Sequence, residues 1–219
     1  MSTARPTAGV RPDPKASREP GAAAPAGLGP RARVNVLRHF RPGGTGVEIG
    51  VFRGDYSRRI LDVAKPAKLY LVDPWQNSDD PTLREASYAA GSSNDMPSLY
   101  EGVRGRFAAE IASGQVELCR GSSSDVMSRF DDESLDFVYI DGDHRYEGAL
   151  ADMEMALAKV VPVGIIALDD YGLGGWWKGG VAFAAHDFLG RHAKELVIVM
   201  VQAKQVVLRK LRQPGGRQE

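Results

Sequence analysis

An α/β fold, with helices on both faces of a mostly parallel seven-stranded sheet, is predicted by three features of this sequence. Short apolar runs alternate with longer amphipathic stretches, as expected of parallel strands buried on both faces and joined by crossover helices. Several runs stop abruptly at acidic residues, which gathers carboxylates along one rim of the sheet, where open α/β sheets bind their ligands. The last two runs are separated only by residues 202–204, too few for a crossover helix, so they form an antiparallel hairpin at one side of the sheet.

Taken in order, the first strand covers residues 46–49 and runs into Gly50-Val51-Phe52-Arg53-Gly54, with a helix expected from Asp55 or Ser57. The second, 69–72, ends at Asp73-Pro74-Trp75. A polar segment over 76–97 follows, with no clear element; a loop of that length is usually functional or disordered. The third strand, 116–119, leads to Gly121-Ser122-Ser123-Ser124-Asp125. The fourth, 135–140, stops at Asp141-Gly142-Asp143-His144, after which Tyr146, Leu150, Met153, Leu157 and Val160 form one apolar helical stripe, with Asp143 as a candidate cap. The fifth, 165–168, stops at Asp169-Asp170-Tyr171. A glycine-rich loop carrying Trp176 and Trp177 comes next; it suits a lid over a substrate and equally suits packing against the body. Runs at 196–201 and 205–208 complete the sheet.

The rest of the chain is bounded by composition. With 219 residues and 43% hydrophobic content it supports one core, placed over residues 30–212. Residues 1–29 hold five of the 13 prolines and no periodic apolar face, which reads as a disordered arm, and 213–219 reads as a flexible tail. Lys plus Arg and Asp plus Glu balance at 28 each, so no global field draws the chain to nucleic acid or an anionic membrane. That balance favours a small-molecule partner and leaves assembly into a homo-oligomer open. The single cysteine, Cys119, excludes a disulfide framework and reads as an internal strand thiol. No signal-peptide core or membrane span is evident, so a soluble cytoplasmic protein is expected.

Residue chemistry at the acidic rim suggests a cofactor and a metal. Gly50 and Gly54 permit a sharp turn and close backbone approach, but Glu48 and Arg53 stand where a dinucleotide fingerprint needs glycine. An acidic residue before such a turn suits a ligand with a cationic amino acid end, and Asp73 is placed to accept from the two vicinal hydroxyls of a ribose. If the fourth and fifth strands are neighbours, Asp141, Asp169 and Asp170 converge, and a hard cation, Mg²⁺ or else Mn²⁺ or Ca²⁺, relieves their repulsion. His144, with its unperturbed pKa of about 6.5, is the candidate general base and Asp143 the runner-up. His39, His186 and His192 have no comparable setting.

On these residues the chain resembles the class I S-adenosylmethionine-dependent methyltransferases, whose domain is a Rossmann-like sheet of this kind. Glu48, Gly50 and Gly54 match their first motif, E-x-G-x-x-x-G. From about Val34 to Leu208 the closest likeness is to methyltransferase family 24, which includes the macrocin-type sugar O-methyltransferases, and more distantly to catechol O-methyltransferase. The resemblance implies S-adenosylmethionine bound at Glu48, Gly50, Gly54 and Asp73, with Ser123 and Ser124 touching adenine and Asp141 nearby. It also implies a divalent metal on Asp141, Asp169 and Asp170, with Asp141, Asp143 and His144 serving catalysis. Catechol-type enzymes carry Asp-Asn where this chain has Asp169-Asp170, so this site is one charge more negative. The expected reaction is metal-dependent O-methylation of a hydroxylated small molecule, with a sugar of a secondary metabolite suggested by the family alone. Competing readings are a metal-independent methyltransferase on another acceptor, a nicotinamide-dependent oxidoreductase, disfavoured by the missing third glycine, and a family 24 relative without methyl transfer.

Overall fold

The computed structural model describes residues 30–212, apart from 84, 87, 90 and 91; the expected N-terminal arm and C-terminal tail lie outside the described residues. Seven strands form one sheet: β1 (Thr45–Ile49), β2 (Lys68–Asp73), β3 (Val116–Arg120), β4 (Leu135–Ile140), β5 (Val160–Leu168), β6 (Leu196–Gln202) and β7 (Gln205–Lys210). Their order is β3-β2-β1-β4-β5-β7-β6, parallel except for β7, which runs antiparallel to both of its neighbours. All seven expected strands are present, and β6 and β7 form the hairpin that their short connection requires.

Alternating side chains divide the strands between two cores. Leu69, Leu71, Phe137, Tyr139, Ile165 and Ala167 pack on one face with α1 (Pro30–Leu37), α2 (Asp55–Arg59), its π-helical continuation Ile60–Ala64 and α3 (Met96–Arg106). Val72, Val138, Ile140, Ile166 and Leu168 pack on the other with α5 (Ser123–Met127), α6 (Tyr146–Lys159) and α7 (Gly180–Arg191); a short α4 (Ala108–Ala112) precedes β3. The stripe expected on α6 faces this second core through Met153 and Leu157, while Val160 already belongs to β5.

Two local features differ from the sequence reading. The N-cap of α6 is Arg145, with no side-chain cap bond, because Asp143 is engaged by the arginine instead. Segment 76–97 is not featureless: it contains a 3₁₀ turn at Pro81–Leu83, a bridge between Ser78 and Ala89, buried Leu83, Ala86 and Ala89, and the start of α3. Cys119 lies in β3 as expected and is half-buried.

Among the described residues, no helix is long and apolar enough to cross a membrane.

Candidate active site

Topology sets the site. Strands β1 and β4 are parallel neighbours at the centre of the sheet, with Ile49 paired to Ile140, so the turns that follow them meet. Gly50 takes φ 85°, and a Cβ there would overlap the Asp141 carbonyl, so only glycine admits this approach. Gly54 also has positive φ, at 73°, where it begins α2. Beyond these turns lies a cavity of about 670 Å³, within the usual range for small-molecule sites.

Glu48, Gly50, Asp73, Ser123, Ser124, Asp141, Asp143 and His144 all line this cavity, whereas Gly54, Asp169 and Asp170 do not. Gly54 sits behind the turn, against Phe107. Glu48 is 1% exposed and accepts from the Ser57 hydroxyl; burial pushes its carboxyl up to about 8. Asp73 fixes the glycine turn: one oxygen accepts from the Val51 and Phe52 amides at 3.0 and 2.9 Å, and the other from the Trp75 amide at 2.7 Å. On the far side, Ser122 caps α5, Ser124 lies 2.9 Å from the Ser122 hydroxyl, and Ser123 donates to Asp152.

The acidic end is organised by residues that the motifs did not reveal. Arg33, on α1, donates to Asp169, to Tyr139 at 3.1 Å and to Asp141 at 3.2 Å. Asp169 also accepts from Tyr139 at 3.0 Å and from the buried Gln205 amide at 2.5 Å. Its carboxylate is thus committed to a structural network. Asp170 follows with φ 52°, and its carboxylate lies 3.6 Å from His144 Nε2, which is itself 3.2 Å from Asp141. Ligand atoms of Asp141, His144 and Asp170 all lie within 4.8 Å of one another. Two carboxylate oxygens at that spacing suit a hard divalent ion such as Mg²⁺ or Mn²⁺, with the imidazole beside them. The structure therefore gathers His144, rather than Asp169, with the other two acids.

Electrostatics fit this arrangement. Burial raises the Asp141 carboxyl to about 6, opposed by its bond to His144. Burial depresses the imidazolium, but the bond and charge of Asp141 outweigh it, so His144 titrates above its usual range. Asp143 is clamped by Arg145, whose guanidinium also holds Asp80 at 2.6 Å and so ties the segment after β2 to the turn after β4. That clamp takes up the acceptor capacity a general base would need. Trp176 and Trp177 pack on His144 with ring centroids 6.0 and 5.1 Å away, and Trp177 also packs against the core. Of the other histidines, His186 pairs with Tyr171 and His192 with Glu154 and Glu195.

Arg33, Arg145 and Asp152 carry no motif, and nothing in the local sequence distinguishes them from other charged residues. Tyr88, in the segment after β2, lines the cavity with its buried hydroxyl unpartnered among the described residues.

Comparison with known proteins agrees with the geometry. The model of a methyltransferase domain family, family 24, matches residues 47–171, from β1 to just past Asp170. No curated protein matches the sequence. Among solved structures, the O-methyltransferase NovP superposes with a TM-score of 0.59 at 21% identity, covering 83% of this chain and 79% of NovP. The O-methyltransferase TomG from Streptomyces achromogenes, solved with S-adenosylmethionine, gives 0.56 at 16% identity over 84% and 80% of the two chains. The N-methyltransferase NodS from Bradyrhizobium japonicum gives 0.55 at 13% identity over 83% and 96%. These likenesses establish the fold, and O- and N-methyltransferases alike share it. The family match spans more than half of the chain, which belongs to methyltransferase family 24 and is an S-adenosylmethionine-dependent methyltransferase.

Proposed function

We propose that this enzyme methylates a hydroxyl oxygen of a small molecule with the help of a divalent metal ion. The observation that carries this reading is the convergence of Asp141, Asp170 and His144 at the rim of the cavity. When bound, S-adenosylmethionine supplies an electrophilic methyl group on its sulfonium. Glu48, buried beside the glycine turn, would take the cationic amino end of that cofactor, while Gly50 lets the backbone lie against it and Asp73 holds the turn in shape.

A neutral hydroxyl is a weak nucleophile, so positioning and deprotonation are the remaining tasks. Asp141 and Asp170 would hold the ion, whose Lewis acidity would lower the acceptor's pKa. His144 is then the base: with Nε2 donating to Asp141, the ring's other nitrogen, Nδ1, which has no partner among the described residues, would take up the proton. Trp176 and Trp177, packed on the imidazole, restrict its orientation and shield that edge from water.

Arg33 favours a second reading. Its guanidinium already offsets the charge of Asp141 and Asp169, so a metal-independent transfer using His144 alone is also supported. Radiolabelled methyl transfer to a panel of hydroxylated acceptors, before and after chelation, tests both. Loss of transfer on chelation with rescue by Mg²⁺ or Mn²⁺ supports the metal, and full activity in chelator supports the second reading. Transfer only to amines would overturn the oxygen acceptor.

A further inference from the structure

Asp152 is a buried acid for which the chemistry above has no use. It lies on α6, is 3% exposed and lines the cavity. Its Oδ1 accepts from the Ser123 hydroxyl at 2.5 Å. Oδ2 lies beside Gly142, 3.2 Å from where a Cβ on that glycine would stand, and forms no hydrogen bond among the described residues. Asp141 has the cationic partners Arg33 and His144, and Asp143 has Arg145. Asp152 pairs with no cation among the described residues, and burial pushes its carboxyl up to about 6. A carboxylate oxygen without a protein partner, on a residue that lines the cavity, is an acceptor that a bound ligand's donor can complete.

Its surroundings indicate which donor fits. Asp152 and Ser123 join α6 to α5 on the face of the sheet where Val72 and Met155 supply apolar wall, and all four line the same cavity. An apolar wall beside a hydrogen-bond acceptor suits a flat heterocycle carrying an exocyclic amino group, and it disfavours one carrying a carbonyl there. We propose that Asp152, oriented by Ser123, reads the 6-amino group of the cofactor's purine and makes the site selective for adenine over hypoxanthine. This rests on the cavity being the S-adenosylmethionine site.

The test is calorimetric titration of the full chain with S-adenosylhomocysteine and with its 6-oxo counterpart, S-inosylhomocysteine. Wild type, Asp152→Asn and Ser123→Ala are compared, with melting temperatures to verify folding. Wild type is expected to prefer the amino compound by about tenfold or more, the scale of a hydrogen bond to a charged group. In Asp152→Asn the amide can donate to a 6-carbonyl, so the preference should collapse or reverse through gain of the oxo compound as well as loss of the amino one. Ser123→Ala should narrow the preference partway. Binding of the amino compound with preference unchanged in both variants would overturn the proposal alone. If wild type binds neither compound, the assignment of the cavity to the cofactor falls, and the proposal with it. Should Asp152→Asn not fold, an undiminished preference in Ser123→Ala overturns the pairing.

Discussion

Gly50 and Asp141 approach so closely that the glycine's α-carbon faces the aspartate's carbonyl with no room for a side-chain carbon between them. The first turn of the cofactor cavity and the acid ending β4 are therefore one packed unit, held also by the bond from the Asp141 amide to the Ile49 carbonyl at 2.8 Å.

Replacing Gly50 with Ala should damage both. Its φ of 85° strains any L-residue, roughly 1–2 kcal/mol by itself, and the overlap with Asp141 adds about 1–3 kcal/mol of overpacking. A fall in melting temperature with loss of S-adenosylmethionine binding is expected; an unaltered melting curve would show that the two turns do not pack as described.

Asp169 and Asp170 should separate stability from metal binding. Asp169→Ala leaves Arg33, Tyr139 and Gln205 without their shared acceptor, a cost of about 3 kcal/mol, typical of breaking a buried charged network. Asp170, outside that network, should cost under about 1 kcal/mol when changed to Ala but weaken Mn²⁺ binding at least tenfold. Urea denaturation and metal titration of the two variants check this, and equal losses of stability would contradict the division of roles.

Much of this was legible in the sequence because apolar runs bounded by turns report buried strands directly, and the acids that end them report the rim. The orientation of Asp169 was partly legible too. Side chains alternate along a strand, so Asp169 follows Ala167 onto the face where Tyr139 lies, while Asp170 reaches His144 only through a left-handed turn that no composition signals. Arg33 was illegible for another reason. It is one of two arginines on a weakly amphipathic helix, and only tertiary packing brings it to Asp141, 108 residues further along the chain.

Glu48 should make both stability and binding depend on pH. Its folded-state pKa, near 8, lies above its ordinary value of 4.5, so the folded protein holds the proton more tightly than the unfolded chain. The stability it contributes is fully present below about pH 4.5 and is lost as pH rises through 8. Glu48→Gln should therefore lose less stability than wild type across that range. If Glu48 meets a cationic group, cofactor binding at neutral pH must also release a proton, seen as a binding enthalpy that varies with the buffer's ionisation enthalpy in wild type and less so in the variant.

His144→Ala distinguishes base from ligand. As a base, its loss should slow methyl transfer by about 10²–10⁴-fold while Mn²⁺ and S-adenosylmethionine affinities stay within twofold. A matching loss of metal affinity would make His144 a ligand beside Asp141 and Asp170, and full activity would remove it from the reaction.

The most direct measurement is calorimetric titration of S-adenosylmethionine into chelator-treated protein, repeated with Mg²⁺ and an acceptor hydroxyl compound present and with NAD as the control ligand. Saturable binding of S-adenosylmethionine but not NAD, with the acceptor binding only when the metal is added, is the expected result. Binding of NAD instead, or acceptor binding indifferent to metal, would contradict it.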